Sequence, residues 1–452
     1  MSNSVGGRLE LKRELGIGAA VAIVIGTVIG SGIFLVPKTM VLAVSSPWMV
    51  LGVFLFGGVL SLAGALTYAE LAAAMPEAGG EYVYLREAYG PFWAFLYGWT
   101  QLLVAKSGSL ATLATAFFLY LANFYPALEG VWVILPFGIE VRYGQICAMG
   151  VIALLAGVNY VGVKVGGGIQ IAVTAIKVAA IAAIIAVGLF SGTGSMSNLE
   201  TSVAAPGGVL GFFTALVAAL WAYDGWNNVA MVSSEIENPE RNLPLSLIFG
   251  TLAVMAIYML ACFAYFYVLP AAEVANSDRV AAQMMRKIFG PAGANLVSVA
   301  AMISIFAAIN GSILSGARVP FAMARDGKFF AGVGAIHPKF HTPSVSIVLL
   351  CLWAMLLVLS GKYDELFSFV IFGSWILYGM ATASVIVLRR KRPDMARPYK
   401  ALGYPVVPVL FVLVALALLL SELFQHPARA ISGLGIMALG IPFYAYWTRT
   451  AK

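Results

Sequence analysis

Charge is scarce in this chain. Asp, Glu, Lys and Arg make up 10% of its 452 residues, against roughly 25% in soluble globular domains. That scarcity excludes a soluble enzyme or a solvated binding module. Histidine is rarer still, with only His337, His341 and His426. No metal-ligand spacing and no nucleophile–base motif occurs, so we expect no enzyme, no metal and no cofactor. Cysteine appears three times, at Cys147, Cys262 and Cys351, each within an apolar stretch. None lies in a long outer loop, which argues against a disulfide or a covalently attached partner subunit. The net charge of +7 is spread over short loops and gathers on no soluble face, so nucleic acid is not expected as a partner.

What the chain has is hydrophobicity, at 61% of its residues. A helix that crosses the hydrocarbon of a bilayer needs about 20 apolar residues. That criterion predicts an all-α integral membrane protein with twelve transmembrane helices, at 15–44, 48–74, 91–122, 143–161, 168–190, 207–234, 245–269, 291–317, 344–361, 364–389, 402–422 and 428–448. The polar leader 1–14 precedes an apolar run without an A-x-A site, so that run is read as the first span and not as a removed signal peptide. Lys and Arg concentrate in the loops that share a side with the leader, including the run LRRKRPDMARPYK. The positive-inside rule then places both termini in the cytoplasm of a cell whose plasma membrane holds the protein. The mixed stretch 75–90 suits an inner loop with a short interfacial helix. Residues 274–288 read as an amphipathic outer helix, either a lid or a plain connector.

Two spans are interrupted. In AVAIVIGTVIGSGIFLVP, residues 20–37, the positions Gly26, Gly30, Ser31 and Gly32 break an apolar run. In AALWAYDGWNNVA, residues 218–230, Asp224 and Gly225 do the same. Glycine weakens a helix by about 1 kcal/mol, and irregular backbone survives in a membrane only where protein or a cavity surrounds it. Paired breaks in two halves of a chain point to a transporter's binding site. Gly26-x-x-x-Gly30 is also a pattern for close helix–helix contact, but a second break makes that reading alone insufficient.

The breaks carry their own chemistry. Past Gly30, the N–H groups of Ser31 and Gly32 open a new half-helix whose positive end favours a carboxylate. The carbonyls of Thr27 and Val28, and those of Trp221, Ala222 and Asp224, are available to an ammonium. A site with one end of each kind fits a free α-amino acid. Lys106, Lys177 and Asp224 lie in mid-span, where each charge costs about 2.5–3.5 kcal/mol and needs a partner. Lys177 either donates to the carbonyls freed by the first break or pairs with a carboxylate such as Asp224. Asp224 either caps the second half of its broken span or faces substrate. Lys106 either pairs with Asp224 or lines a water path.

GTVIGSGIF at 26–34, TYAELAAAMPEAGGEYVYL at 67–85, AYDGWNNVAMVSSEIENPERNLPLSL at 222–247, NGSILSGAR at 310–318 and the LRRKRP…RPYK region resemble the amino acid–polyamine–organocation superfamily. Within it they look most like a bacterial member of the L-type amino acid transporter family. The resemblance runs from about residue 10 to 401. It implies a LeuT-type fold of two inverted repeats, 15–190 and 207–389, with broken helices 1 and 6, followed by helices 11 and 12 over 402–448. It implies that the substrate carboxylate rests on Ser31 and Gly32 at the Gly30 break. The amine then rests on carbonyls of Val28, Trp221, Ala222 and Asp224, with Thr27 and Gly225 at the two breaks. Trp221 takes the place of a closing aromatic, and Ser374 and Trp375 flank the side-chain pocket. Lys177 matches a lysine that stands in for a sodium ion, with Asn310 and Ser312 as its helix 8 neighbours.

Animal members attach to a glycoprotein through a cysteine in the loop after helix 3. Residues 123–142 hold none, so no disulfide-linked heavy chain is expected. The implied function is a sodium-independent exchanger of neutral L-amino acids. The alternatives are a proton-coupled uptake carrier for cationic ones and a sensor that binds without transport.

Overall fold

The computed structural model describes residues 10–136, 139–359 and 363–450, so residues 1–9 of the leader lie outside the described residues. Helices dominate, as they must where hydrocarbon offers no partner to a backbone N–H or carbonyl. The first span is two helices, α1 (Ile17–Val28) and α2 (Gly32–Val44), bent by 40° at their junction. Ser46 caps α3 (Pro47–Ala74) by accepting from the Met49 N–H. A tight reversal leads to α4 (Glu81–Tyr89). The third long span joins α5 (Pro91–Thr100) and α6 (Lys106–Leu121) through a single π turn, Gln101–Ala105. Two long helices follow, α7 (Tyr143–Val161) and α8 (Val163–Phe190).

The second interrupted span is α9 (Gly208–Tyr223), an irregular turn, and the single-turn α10 (Asn228–Met231). Next come α11 (Pro239–Val268), α12 (Ala271–Ala275) and α13 (Val280–Gly316), the last kinked at Gly290 where φ is +67°. The chain closes with α14 (Arg318–Arg325), α15 (Ser344–Val358), α16 (Tyr363–Lys391), α17 (Val406–Gln425), α18 (Pro427–Ala438) and α19 (Gly440–Thr450). Among the described residues, eight spans are long and apolar enough to cross a bilayer, or nine if the bent α1–α2 pair is one span.

Several elements depart from the sequence reading. The helix within 75–90, read as interfacial, packs inside the protein. Glu81, Tyr82, Val83, Tyr84 and Leu85 of α4 are buried, and the Gly79 N–H donates 2.9 Å to the carbonyl of Met231, the last residue of α10. The stretch 123–142 carries a hairpin, β1 (Val131–Leu135) against β2 (Ile139–Arg142), where a plain loop was expected. Its residues alternate too briefly to register among apolar spans. Residues 274–288 do not form one helix, because Asn276–Arg279 separate α12 from α13. The last span is divided at Leu439 into α18 and α19.

The basic run after α16 is bound into the fold. Glu70, 1% exposed at the end of α3, accepts from Arg389 at 2.9 and 2.6 Å and from the Ala401 N–H at 2.7 Å. Lys391 donates 2.7 Å to the Ala88 carbonyl, and Arg392 lies 2.5 Å from Glu87.

Both described ends meet the same face. Glu10 and Arg13 line a cavity with Arg86, Arg325 and Asp326, while Trp447 packs on Phe329 and Phe330 just beyond. On this face Arg318 is fully buried, with Glu235 accepting at 2.6 and 2.8 Å and the Leu314 carbonyl at 2.6 Å. The Glu235 carbonyl in turn accepts from the Glu14 and Leu15 N–H groups. Arg86 adds pairs to Glu77 and Asp326 at 2.8 and 2.9 Å. From the middle of α2, Lys38 reaches Asp278 at 2.6 Å in an exposed pair.

Candidate functional site

The two breaks touch. Gly225 has φ +108°, a conformation that favours glycine, and a Cβ there would stand 3.2 Å from the Thr27 carbonyl carbon. A Cβ on Gly32 would stand 2.8 Å from the Ala222 Cα. The Thr27 hydroxyl lies 3.0 Å from the Gly225 carbonyl and 2.6 Å from the Ile23 carbonyl of its own helix. The Tyr258 hydroxyl of α11 lies 2.9 Å from the Val28 carbonyl and 2.9 Å from the Ala222 carbonyl. One O–H can serve only one acceptor at a time, so one hydroxyl is shared by the two breaks.

Between them lies a small cavity lined by Thr27, Val28, Gly30, Ser31, Gly32, Ser109, Leu113, Trp221 and Asp224. Its volume is about 20 Å³, room for little more than one water. Ser31 and Gly32 line this space at the start of α2, where the first N–H groups of a helix have no acceptor within the helix itself. The buried Ser31 hydroxyl has no hydrogen-bond partner among the described residues. Gly26 serves a different purpose. A Cβ there would stand 2.0 Å from the Gln170 amide nitrogen, so Gly26 is a close contact with α8 and Gly30 is the break.

Lys177, fully buried on α8, donates to three backbone carbonyls: Gly26 at 2.8 Å, Ile29, and Ser304 of α13 at 3.1 Å. An ammonium has three N–H donors, so these acceptors saturate it without a carboxylate. The Ser304 hydroxyl adds contacts to Ile29 at 3.0 Å and Gly30 at 3.2 Å.

The expected neighbours Asn310 and Ser312 are not brought to Lys177. They stand six and eight residues beyond Ser304, about 9 and 12 Å along the helix. Asn310 instead accepts from Asn159 at 2.9 Å and donates to Gln170 at 2.8 Å and Gly166 at 3.2 Å. Ser312 is buried, and its carbonyl faces Ser315.

Asp224 ends α9 and does not cap α10, whose N-cap is Asn227. It accepts 2.9 Å from the Tyr378 hydroxyl of α16. Ser374 is buried one turn earlier on α16 and does not line the cavity, and Trp375 faces away to stack on Phe411. Lys106 donates to the Asn228 side-chain oxygen. Glu81, fully buried, accepts from Asn227 and, at 3.0 Å, from Tyr97.

Tyr258, Ser304, Ser109, Tyr378, Glu81 and the Asn227–Asn228 pair were not singled out as site residues from the sequence. A tyrosine in YMLACFAYFYV, or a serine in SVAAMISIF, carries no local sign of function. Glu81 sat in a stretch read as interfacial.

Two breaks in backbone contact, an ammonium held on carbonyls at the first, and a small cavity at the start of α2 come together at one place in the fold. Residues 15–438 match the amino acid permease family. The chain belongs to that family. The permease is 35% identical over 440 residues to the serine/threonine exchanger SteT of Bacillus subtilis (strain 168), with 96% of each chain covered. It is 32% identical over 422 residues to the b(0,+)-type amino acid transporter 1 of Mus musculus, covering 93% of this chain and 84% of that one. The cystine/glutamate transporter of Homo sapiens is 31% identical over 444 residues, with 97% and 85% covered. The permease is thus a multi-pass membrane transporter of the amino acid–polyamine–organocation superfamily, on its L-type branch, and not an enzyme.

Proposed function

We propose that this permease exchanges neutral L-amino acids across the plasma membrane by alternating access, without sodium. The observation that carries the reading is Lys177 on the carbonyls of Gly26, Ile29 and Ser304. In this reading the ammonium keeps its charge where α1 ends and α13 passes, the role a bound cation would otherwise fill. The substrate carboxylate rests on the N–H groups of Ser31 and Gly32 with the Ser31 hydroxyl. The amine donates to the Val28 and Ala222 carbonyls, whose second lone pairs leave them open beside Tyr258, with the Trp221 and Asp224 carbonyls nearby. The name of one relative, a serine/threonine exchanger, supports exchange, and that of another, a cystine/glutamate transporter, supports amino acids as the cargo.

In this reading the chain forms twelve spans in a LeuT-type arrangement, with repeats over 15–190 and 207–389 and helices 11 and 12 over 402–448. The single-turn α10 and the α1–α2 bend are its broken helices. Both termini face the cytoplasm, in line with the basic residues gathered there. The face that carries them is tied by the buried Arg318–Glu235 pair and the Arg86 cluster, and the opposite face by exposed pairs such as Lys38–Asp278 and Lys287–Glu273. The contracted cavity must widen to admit an amino acid, and the weaker outer tie is the one that parts first. The three cysteines lie in helices, two of them buried, which supports a carrier that works without a disulfide-linked heavy chain.

A second reading, transport of cationic amino acids or coupling to protons, has one observation in its favour: the Asp224 carboxylate lines the cavity.

The test is uptake of labelled alanine, serine, leucine and arginine into sodium-free liposomes, either loaded with unlabelled amino acids or empty. Uptake confined to loaded liposomes establishes exchange. Equal uptake into empty ones contradicts it, and acceleration by external acid would favour the proton-coupled reading.

A further inference from the structure

The face opposite the one with both termini carries a second cavity, of about 210 Å³ against about 20 Å³ between the breaks. The kink at Gly290 builds it. There the two parts of α13 come together so closely that a Cβ on Gly293 would stand 2.3 Å from the Met285 carbonyl oxygen. Arg279, Gln283 and Arg286, at helical spacing, line one wall, and Ser298 of the second part and Asn123 line others. The same elements run on to the first cavity. Ser298 stands six residues, about 9 Å, before Ser304 on α13, and Asn123 follows α6, whose Leu113 lines the space between the breaks.

Two guanidinium groups meet this second cavity without a carboxylate of their own. Arg279 donates 3.2 Å to the Asn123 side-chain oxygen, a neutral partner. Arg286 is exposed and has no partner among the described residues. The acid in the same wall is Asp278. Its Oδ1 accepts from Lys38 at 2.6 Å, and its Oδ2 has no partner among the described residues. Guanidinium groups take a carboxylate through paired N–H donors, and an open carboxylate oxygen takes an ammonium. A cavity with both, wide enough for more than water, fits a zwitterion.

We propose that this cavity is a docking site for a free amino acid, which rests its carboxylate on Arg279 and Arg286 and its ammonium on Asp278 Oδ2 before it reaches the breaks. The proposal rests on the reading of the chain as an amino acid carrier and deepens it by naming the place of first contact. The two groups it reads belong to every amino acid, so the site accepts neutral cargo and leaves the choice of side chain to the inner cavity. Its ion pairs are exposed and screened by salt, so the hold is weak and readily released. An ammonium on Oδ2 also shares the carboxylate that receives Lys38, which loosens the tie between α2 and the turn before α13 when substrate is present.

The test is sided. Membrane vesicles that carry the full chain are prepared right-side-out and inside-out and loaded with unlabelled serine. The half-saturating concentration of external labelled serine is measured in each. Arg279→Gln/Arg286→Gln and Asp278→Asn should raise it about three- to tenfold in right-side-out vesicles, as loss of screened ion pairs does, and by less than about twofold in inside-out ones, where labelled serine meets the other face. Lys38→Met should not raise it, because it frees Asp278 and leaves the site intact.

No rise in right-side-out vesicles overturns the proposal. An equal rise in both preparations also overturns it, since that marks a structural effect. So does a rise in Lys38→Met that matches Asp278→Asn, which would assign the effect to the tie. A rise in the arginine variant with none in Asp278→Asn overturns it as well, by showing an anion site that does not read an amino acid. Should the double variant fail to fold, an unchanged value in Arg286→Gln alone overturns it. Wild-type vesicles that exchange no amino acid would instead strike the proposed function, so the two failures are distinct.

Discussion

The Lys177 ammonium lies 2.8 Å from the Gly26 carbonyl oxygen, across the contact between α8 and the end of α1. Gly26 has no side chain to hold α8 away, and a Cβ would collide with Gln170. The glycine that permits the approach also supplies one of the oxygens that receive the charge. Ile29 and Ser304 supply the others, so the break in the first span and the passing α13 are joined through one side chain.

Removing that side chain takes a charged donor from three buried carbonyls, of which Ile29 keeps the Ser304 hydroxyl. Each unsatisfied acceptor costs about 1–3 kcal/mol, and the junction of α1 and α2 loses its brace. Lys177→Met should reduce exchange at least about 100-fold, because a loss of about 2.7 kcal/mol in the transport-competent state corresponds to that factor. Exchange in reconstituted Lys177→Met within threefold of wild type would refute the role.

Gly225 tests the second break. Its φ of +108° is poorly accessible to any residue with a Cβ, and that Cβ would press on Thr27 at 3.2 Å. Gly225→Ala should cost about 1–2 kcal/mol from backbone strain alone, and more from the displaced Thr27. We expect lower thermal stability together with loss of serine exchange. Unchanged exchange would show that the contact between the breaks is dispensable.

Tyr258 offers a milder change. Its ring packs against Phe54 and Tyr223 with centroids 6.1 and 5.1 Å apart, and Tyr258→Phe preserves that packing. The shared hydrogen bond to Val28 and Ala222 disappears. Substrate binding should weaken by about three- to tenfold, in line with a net hydrogen-bond contribution of about 0.5–1.5 kcal/mol, while the protein remains folded. Titration of serine against exchange rate measures it, and an unaltered half-saturating concentration would contradict the bridge.

The Arg318–Glu235 pair has no exposure on either side chain. Breaking a buried pair by removing one member typically costs about 3–5 kcal/mol. Glu235→Gln should therefore lower the thermal midpoint in detergent clearly, whereas Lys38→Met, at the exposed pair with Asp278, should lower it by no more than about 1 kcal/mol equivalent. Equal shifts would contradict the assignment of the stronger tie to the face that carries both termini.

Much of this was readable in the sequence for a physical reason: the features in question are local. Glycines and an aspartate inside apolar runs announce the breaks, and a lysine in mid-span announces a need for acceptors. Lys177 does meet carbonyls of the first break. Its partner on α13 was missed, because choosing Ser304 over Asn310 or Ser312 depends on the register between two packed helices, and a shift of six residues leaves the composition of the span unchanged. Asp224 was weighed as a cap and pairs with Tyr378 instead, since the turn ends in Asn227 before α10 begins. Glu81 escaped notice because a carboxylate among Gly, Tyr and Arg resembles a solvated loop, and only the fold of α4 against the second break encloses it.

The account stands on Lys177 as a permanent substitute for a bound sodium ion. The direct measurement is the initial rate of serine exchange into serine-loaded liposomes, with external sodium chloride replaced stepwise by choline chloride. The account predicts one rate across the whole series. A rate that climbs with sodium would contradict it, because a site already filled by an ammonium has no place for the ion.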